Sequence, residues 1–152
     1  IGENIVLKNI KFIEGNIYSY IHNSVTDGMG KIGVLINFNS ESSKIDTIGK
    51  NVCMHIAASA PKSLTVDDLD KSIIESEKEI ISKQLKETGK PDNILEKMMQ
   101  GKLNKFYEEN TLMGQKFVID PSISIKQYLI QSSKEINSQI NIQEFLRFEI
   151  GS

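Results

Sequence analysis

Residues 65–112, TVDDLDKSIIESEKEIISKQLKETGKPDNILEKMMQGKLNKFYEENTL, decide how the chain folds. Val66, Leu69, Ile73, Ile80 and Ile81 in the first half, and Leu95, Met98, Met99, Leu103 and Phe106 in the second, recur every three or four residues. That spacing gathers apolar side chains on one helical face. Between the halves stands Thr88-Gly89-Lys90-Pro91-Asp92. Gly89 suits the left-handed turn that closes a helix, and Pro91 suits the first turn of the next. Thr65, answered by Asp68, reads as the N-cap of the first helix. So short a link predicts an antiparallel two-helix coiled-coil hairpin, each arm on the order of 30 Å long at about 1.5 Å per residue.

The flanks read differently. Residues 4–12, rich in β-branched and aromatic side chains, predict a strand, and Gly15-Asn16 a turn. Residues 17–22 predict a second strand, Asn23 to Gly30 a loop, and Lys31 to Phe38 the strongest strand of the chain. Links this short favour an antiparallel meander. From Ser42 to Ala60 the period becomes helical through Ile45, Ile48, Val52 and Ile56, with Gly49 placed for the close approach of a neighbour and Pro61 as the stop. After the hairpin, Met113 to Pro121 reads as extended, because Pro121 disfavours helix at Asp120. Ser124 with Gln127 is a capping-box signature for a helix over Ile125 to Ile136, and residues 140–150 predict a closing strand. The fold class that follows is α+β: a small antiparallel sheet packed with helices, plus the inserted hairpin.

Composition narrows the function. With 18 basic and 20 acidic residues interspersed, the net charge of −2 provides no concentrated basic face for direct nucleic-acid binding. No run approaches the roughly 18 apolar residues of a membrane helix, so no membrane partner is expected. The lone cysteine, Cys53, cannot form an internal disulfide and fits a reducing, cytoplasmic setting, with burial on the helix as its expected place. A start at Ile1, already within a strand pattern, reads as a fragment of a longer protein.

Catalytic constellations are lacking. Gly28-Met29-Gly30-Lys31-Ile32-Gly33 fits the spacing of a dinucleotide fingerprint, but that motif needs a helix opening at its end, and here a strand is predicted. Cys53 and His55, two apart on a helix, diverge too far to share a metal or form a nucleophilic pair. No cofactor, no metal and no covalent chemistry are expected.

The two ends repeat each other: residues 4–12 parallel residues 139–148 with one residue's slip, and each run then reaches a glutamate and a glycine. Such self-similarity marks a duplicated subdomain. On this reading residues 1–15 close a preceding copy, residues 16–64 with 113–152 form the second, and residues 65–112 are an insertion into it.

Several motifs then become recognisable. Ile1-Gly2-Glu3-Asn4-Ile5, Lys31-Ile32-Gly33-Val34-Leu35, Met54-His55-Ile56-Ala57-Ala58-Ser59-Ala60-Pro61, Gly89-Lys90-Pro91, Gly114-Gln115-Lys116-Phe117-Val118 and Arg147-Phe148-Glu149-Ile150-Gly151 resemble elongation factor Ts, in order along nearly the whole chain. The resemblance implies a non-enzymatic guanine nucleotide exchange factor that binds elongation factor Tu in its GDP-bound and nucleotide-free forms. It also implies a duplicated core with a hairpin in its second copy. The family's Thr-Asp-Phe-Val motif, which disturbs the magnesium site of the GTPase, lies in the first copy and is absent here, so this chain alone is expected to exchange nucleotide weakly. Carried over position by position, the implied partner-binding residues are His22, Lys50, Asn51, Met54 and His55, with Leu85, Gly89, Lys90 and Pro91 at the hairpin tip. His22 departs from the family in being followed by Asn23 rather than glycine, and Asn51 replaces a histidine found in some relatives. The competing reading is a structural module that forms a homodimer through the hairpin or the sheet edge.

Overall fold

A computed structural model describes Gly2, Asn4, residues 6–40 and residues 42–151. Ile1, Glu3, Ile5, Glu41 and Ser152, which enter the motifs and repeats above, lie outside the described residues.

The sheet grows from the alternation in residues 31–38. Val34, Ile36 and Phe38 point to one face and are buried there, and the strand extends over Met29–Asn39 (β2). It pairs antiparallel on one side with Asn16–Thr26 (β1) and on the other with Asn141–Glu149 (β3), giving the order β1-β2-β3. The expected loop from Asn23 to Gly30 is instead mostly strand. Thr26 pairs with Met29 across Asp27-Gly28, and Gly28 takes φ +74°, so the reversal is a tight turn of two residues. The polar residues beyond His22 belong to exposed ladder, where alternation with apolar residues is not needed. The strand expected over residues 4–12 does not form. Its described residues carry no regular structure, and Val6, Leu7, Ile10 and Phe12 are exposed, for a strand exists only where its backbone is paired.

One face of the sheet is covered by Asp46–Ser59 (α1), preceded by a single 3₁₀ turn at Ser43–Ile45. Ile48, Val52, Cys53 and Ile56 bury this helix against Val34, Ile36 and Phe38. Gly49 lets it come close: a Cβ there would stand 2.5 Å from the Tyr18 ring, whose hydroxyl donates to Asp46 at 3.1 Å. Ile125–Ile136 (α4) adds Ile125 and Leu129 to the same core and begins with the full capping box. The Gln127 amide donates to Ser124 Oγ at 3.2 Å and the Ser124 amide to Gln127 Oε1 at 2.8 Å.

The two arms of the hairpin are Lys71–Lys86 (α2) and Asp92–Asn110 (α3). The first starts later than expected. Thr65 does donate to Asp68, through its amide at 3.0 Å and its hydroxyl at 2.6 Å, but the bond closes a local turn. The helix starts where Asp70 accepts from the Ser72 amide at 2.8 Å. Gly89 takes φ +63° as expected, and Pro91 occupies the N-cap of α3, one residue before its first turn. The arms pack on each other through Ile81, Leu85 and Leu103, flanked by Leu95, Met98, Met99 and Tyr107. None of these side chains belongs to the sheet core, so among the described residues the hairpin seam is an apolar cluster separate from it.

The stretch from Met113 to Pro121 is not simply extended. Its amides are spent on two different loops: Met113 N–H donates to Leu64 at 3.1 Å and Phe117 N–H to Ile123 at 2.9 Å. It therefore folds as successive turns that pin the hairpin root to α4. The opposite face of the sheet leaves Ile17, Ile21, Leu35 and Leu146 half-buried and Phe148 exposed.

Candidate protein-interaction surface

Helical spacing on α1 leaves Lys50, Asn51, Met54 and Ala58 on the side away from the sheet core, with Lys50 and Ala58 exposed and Asn51 and Met54 half-buried. On β1, His22 continues the face that carries Tyr18 and Tyr20, so it emerges beside the C-terminal half of α1. Its Nδ1 lies 3.1 Å from the Tyr20 hydroxyl. The loop after Phe117 brings up Val118 and Ile119, 47% and 53% exposed. Together His22, Met54, Ala58, Val118, Ile119 and Arg147 line much of a cleft of about 490 Å³. Two sequence-expected residues, His22 and Met54, thus meet in one place. Lys50 and Asn51 stand on the same helix one turn earlier.

Arg147 closes the end of the cleft. Its guanidinium donates to the Ala57 carbonyl from Nε at 3.4 Å and from Nη2 at 3.2 Å, and pairs with Glu149 at 2.8 Å. Ala57 lies in the last turn of α1, where carbonyls lack intrahelical donors and carry partial negative charge, so a cation there both caps and orients the helix. Asn51 is held inward, donating to the Tyr128 hydroxyl at 3.1 Å, and Tyr128 stacks on Phe117 with centroids 4.3 Å apart.

His55 takes no direct part in this surface. It is fully buried beneath the cleft. Its Nδ1 accepts from the Val118 amide at 3.2 Å, which fixes the proton on Nε2, and Nε2 then donates to Gln115 Oε1 at 2.9 Å. Burial holds the imidazole below its usual pKa, while the Gln115 bond acts in the opposite direction. A buried neutral histidine with both nitrogens satisfied packs the interior rather than meeting a partner.

The hairpin residues form a second, separate group. Gly89, Lys90 and Pro91 are exposed at the tip, about 28 Å from the root at 1.5 Å per residue of α3. Lys90 Nζ reaches Met98 Sδ at 3.7 Å. Leu85 is 3% exposed and belongs to the seam between the arms, so it supports the tip from within.

Sequence reasoning missed Val118, Ile119 and Arg147. The apolar run Phe117-Val118-Ile119 was itself the available signal: Phe117 is buried, and the turn that follows leaves its two neighbours outside. Among the described residues, no three His, Cys, Asp or Glu side chains converge as metal ligands, and no helix is long and apolar enough to cross a membrane. The Gly28–Gly33 run lies in a turn and in β2 with no helix opening after it, so it lacks the geometry of a dinucleotide site.

The family model described as Elongation factor TS matches residues 1–152. Among curated relatives, Elongation factor Ts of Paracoccus denitrificans is 44% identical over 93% of this chain and 48% of its own length. Those of Bartonella henselae and Rickettsia felis are 42% and 36% identical, each over 99% of this chain and 51% of their own length. The chain spans about half the length of the curated relatives it matches. A family match along the whole chain, carried on an α+β fold, places this chain in the elongation factor Ts family.

Proposed function

We propose that the chain is the partner-gripping half of a guanine nucleotide exchange factor, and that its partner is elongation factor Tu. The cleft surface of His22, Lys50, Asn51, Met54, Val118 and Ile119 forms the main contact, with Gly89, Lys90 and Pro91 at the hairpin tip as a second, remote one. The observation that carries this reading is the convergence of His22 and Met54, family-motif residues from different elements, on a cleft edged by two exposed apolar side chains. Exposed apolar groups gathered beside polar ones are the makings of a protein contact. The chemistry is non-covalent. A factor that binds the nucleotide-free GTPase more tightly than the GDP complex must, by linkage, lower the affinity for GDP by the same factor. Lacking a Thr-Asp-Phe-Val motif, the chain supplies binding and little of the disturbance of the magnesium site.

Calorimetric titration with elongation factor Tu, beside release of labelled GDP, tests the proposal. The expected result is one-to-one binding with slow GDP release, and a loss of affinity of about tenfold or more in Ile119→Asp, because a buried unpaired charge opposes docking. A chain that forms a stable homodimer and does not bind the GTPase would contradict it.

A further inference from the structure

The cleft and the hairpin root are joined by one buried polar chain. Val118 N–H donates to His55 Nδ1 at 3.2 Å, and His55 Nε2 donates to Gln115 Oε1 at 2.9 Å. Gln115 Nε2 then donates to the Glu109 carbonyl in the last turn of α3 at 2.8 Å and to the Ser59 carbonyl at the end of α1 at 3.2 Å. Three elements end at this point: α1, the second hairpin arm and the loop that carries Val118 and Ile119. Each contributes a backbone group that has no partner in regular structure, and the two side chains satisfy all of them.

We propose that His55 and Gln115 are positioning residues for partner binding: they set the Val118–Ile119 edge of the cleft against both α1 and the root of the hairpin. This rests on the reading of the cleft as the contact surface. The loop closes on itself at its apex, where Ile123 N–H donates to the Asp120 carbonyl at 3.2 Å and Ser122 N–H to Asp120 Oδ1 at 3.1 Å, but these bonds do not tie it to α1. Phe117 N–H is held by the Ile123 carbonyl at 2.9 Å, and the next amide, Val118, is the one His55 takes. The adjoining side chain, Phe117, is fixed by stacking on Tyr128 at 4.3 Å and lies 6.1 Å from the His55 ring. Ile119 follows directly, so its placement depends on where Val118 N–H is anchored. A contact residue held in place costs less ordering entropy when the partner arrives, and preorganisation of this kind is converted into affinity. Because Gln115 also holds the Glu109 carbonyl, the same two side chains fix the hairpin's base relative to the cleft, and a partner that touches both surfaces meets them at a set spacing.

A double-mutant cycle on the whole chain tests this, reading affinity for elongation factor Tu. Ile119→Ala is introduced alone, and again in Gln115→Met and in His55→Phe. Both of these replacements nearly conserve volume; His55→Phe removes the bond to Val118 N–H outright, Gln115→Met frees the imidazole that makes it, and either suffices if the other fails to fold. The expected result is a loss of about tenfold for Ile119→Ala alone, falling to less than about threefold in either second background, since a loop no longer held presents Ile119 poorly. Exchange of the Val118 amide with solvent is expected to speed up by about tenfold or more in both backgrounds. An unchanged loss from Ile119→Ala in the second backgrounds would overturn the positioning role and leave the contact surface standing. No loss from Ile119→Ala alone would overturn the contact surface and the positioning role with it.

Discussion

At the scale of single residues, Cys53 shows how burial decides chemistry. Its sulfur lies in the sheet core, 3.7 Å from the Tyr18 carbonyl, and desolvation pushes the thiol up to about 12 from an ordinary value of 9.0. The folded chain keeps the proton while the unfolded chain releases it between these two values, so stability falls as pH rises from 9.0 toward about 12. In the native state the thiol is expected to resist alkylation, reacting at the rate of global opening; rapid modification at neutral pH would place it outside the core. The same residue scale explains what could be read beforehand. Ser124 with Gln127, and Gly89 with Pro91, are local pairs whose chemistry acts within one turn, so they were legible. His55 and Gln115 are separated by 60 residues and joined by a hydrogen bond that no local spacing announces. His55 accordingly reads as a contact from its motif, and the structure buries it completely.

At the scale of elements, glycines separate close packing from open surface. Gly49 faces the Tyr18 ring, and Gly101, in the middle of α3, faces open space. Gly49→Ala is expected to destabilise by about 1–3 kcal/mol through overpacking against the sheet. Gly101→Ala is expected to stabilise by about 1 kcal/mol, since alanine is the better helix former at an exposed site. Thermal unfolding of the two variants checks the pair, and a common sign would refute the packing described. Val66 and Leu69 continue the helical spacing of α2 backward, but Thr65 with Asp68 closes only a local turn, and Asp70 starts the helix. Residues 23–26 are strand although their polar sequence resembles a loop, because pairing with β2, rather than burial, holds them.

At the scale of the whole molecule, the separation of the sheet core from the hairpin seam predicts modular stability. Excising residues 78–98 and rejoining the arms with a short Gly-Ser turn removes the outer hairpin and leaves its root. The shortened chain is expected to keep its far-ultraviolet signature for the sheet and α1 and to bind elongation factor Tu more weakly through loss of the tip. Unfolding of the core on this excision would show that the two clusters depend on each other. The α+β class was legible because it rests on a change of hydrophobic period along the chain. The cleft was only half legible, since it is assembled from β1, β2, α1, the loop after Phe117 and β3, and only tertiary structure brings these together.

The most direct measurement is hydrogen exchange across the whole chain, with and without elongation factor Tu. Protection is predicted at residues 20–22, 50–58 and 117–120 and again at residues 88–91, with the outer sheet face around Leu35 and Leu146 unchanged. Protection confined to that outer face, with none around Val118 and Ile119, would contradict the assignment of the cleft as the docking surface.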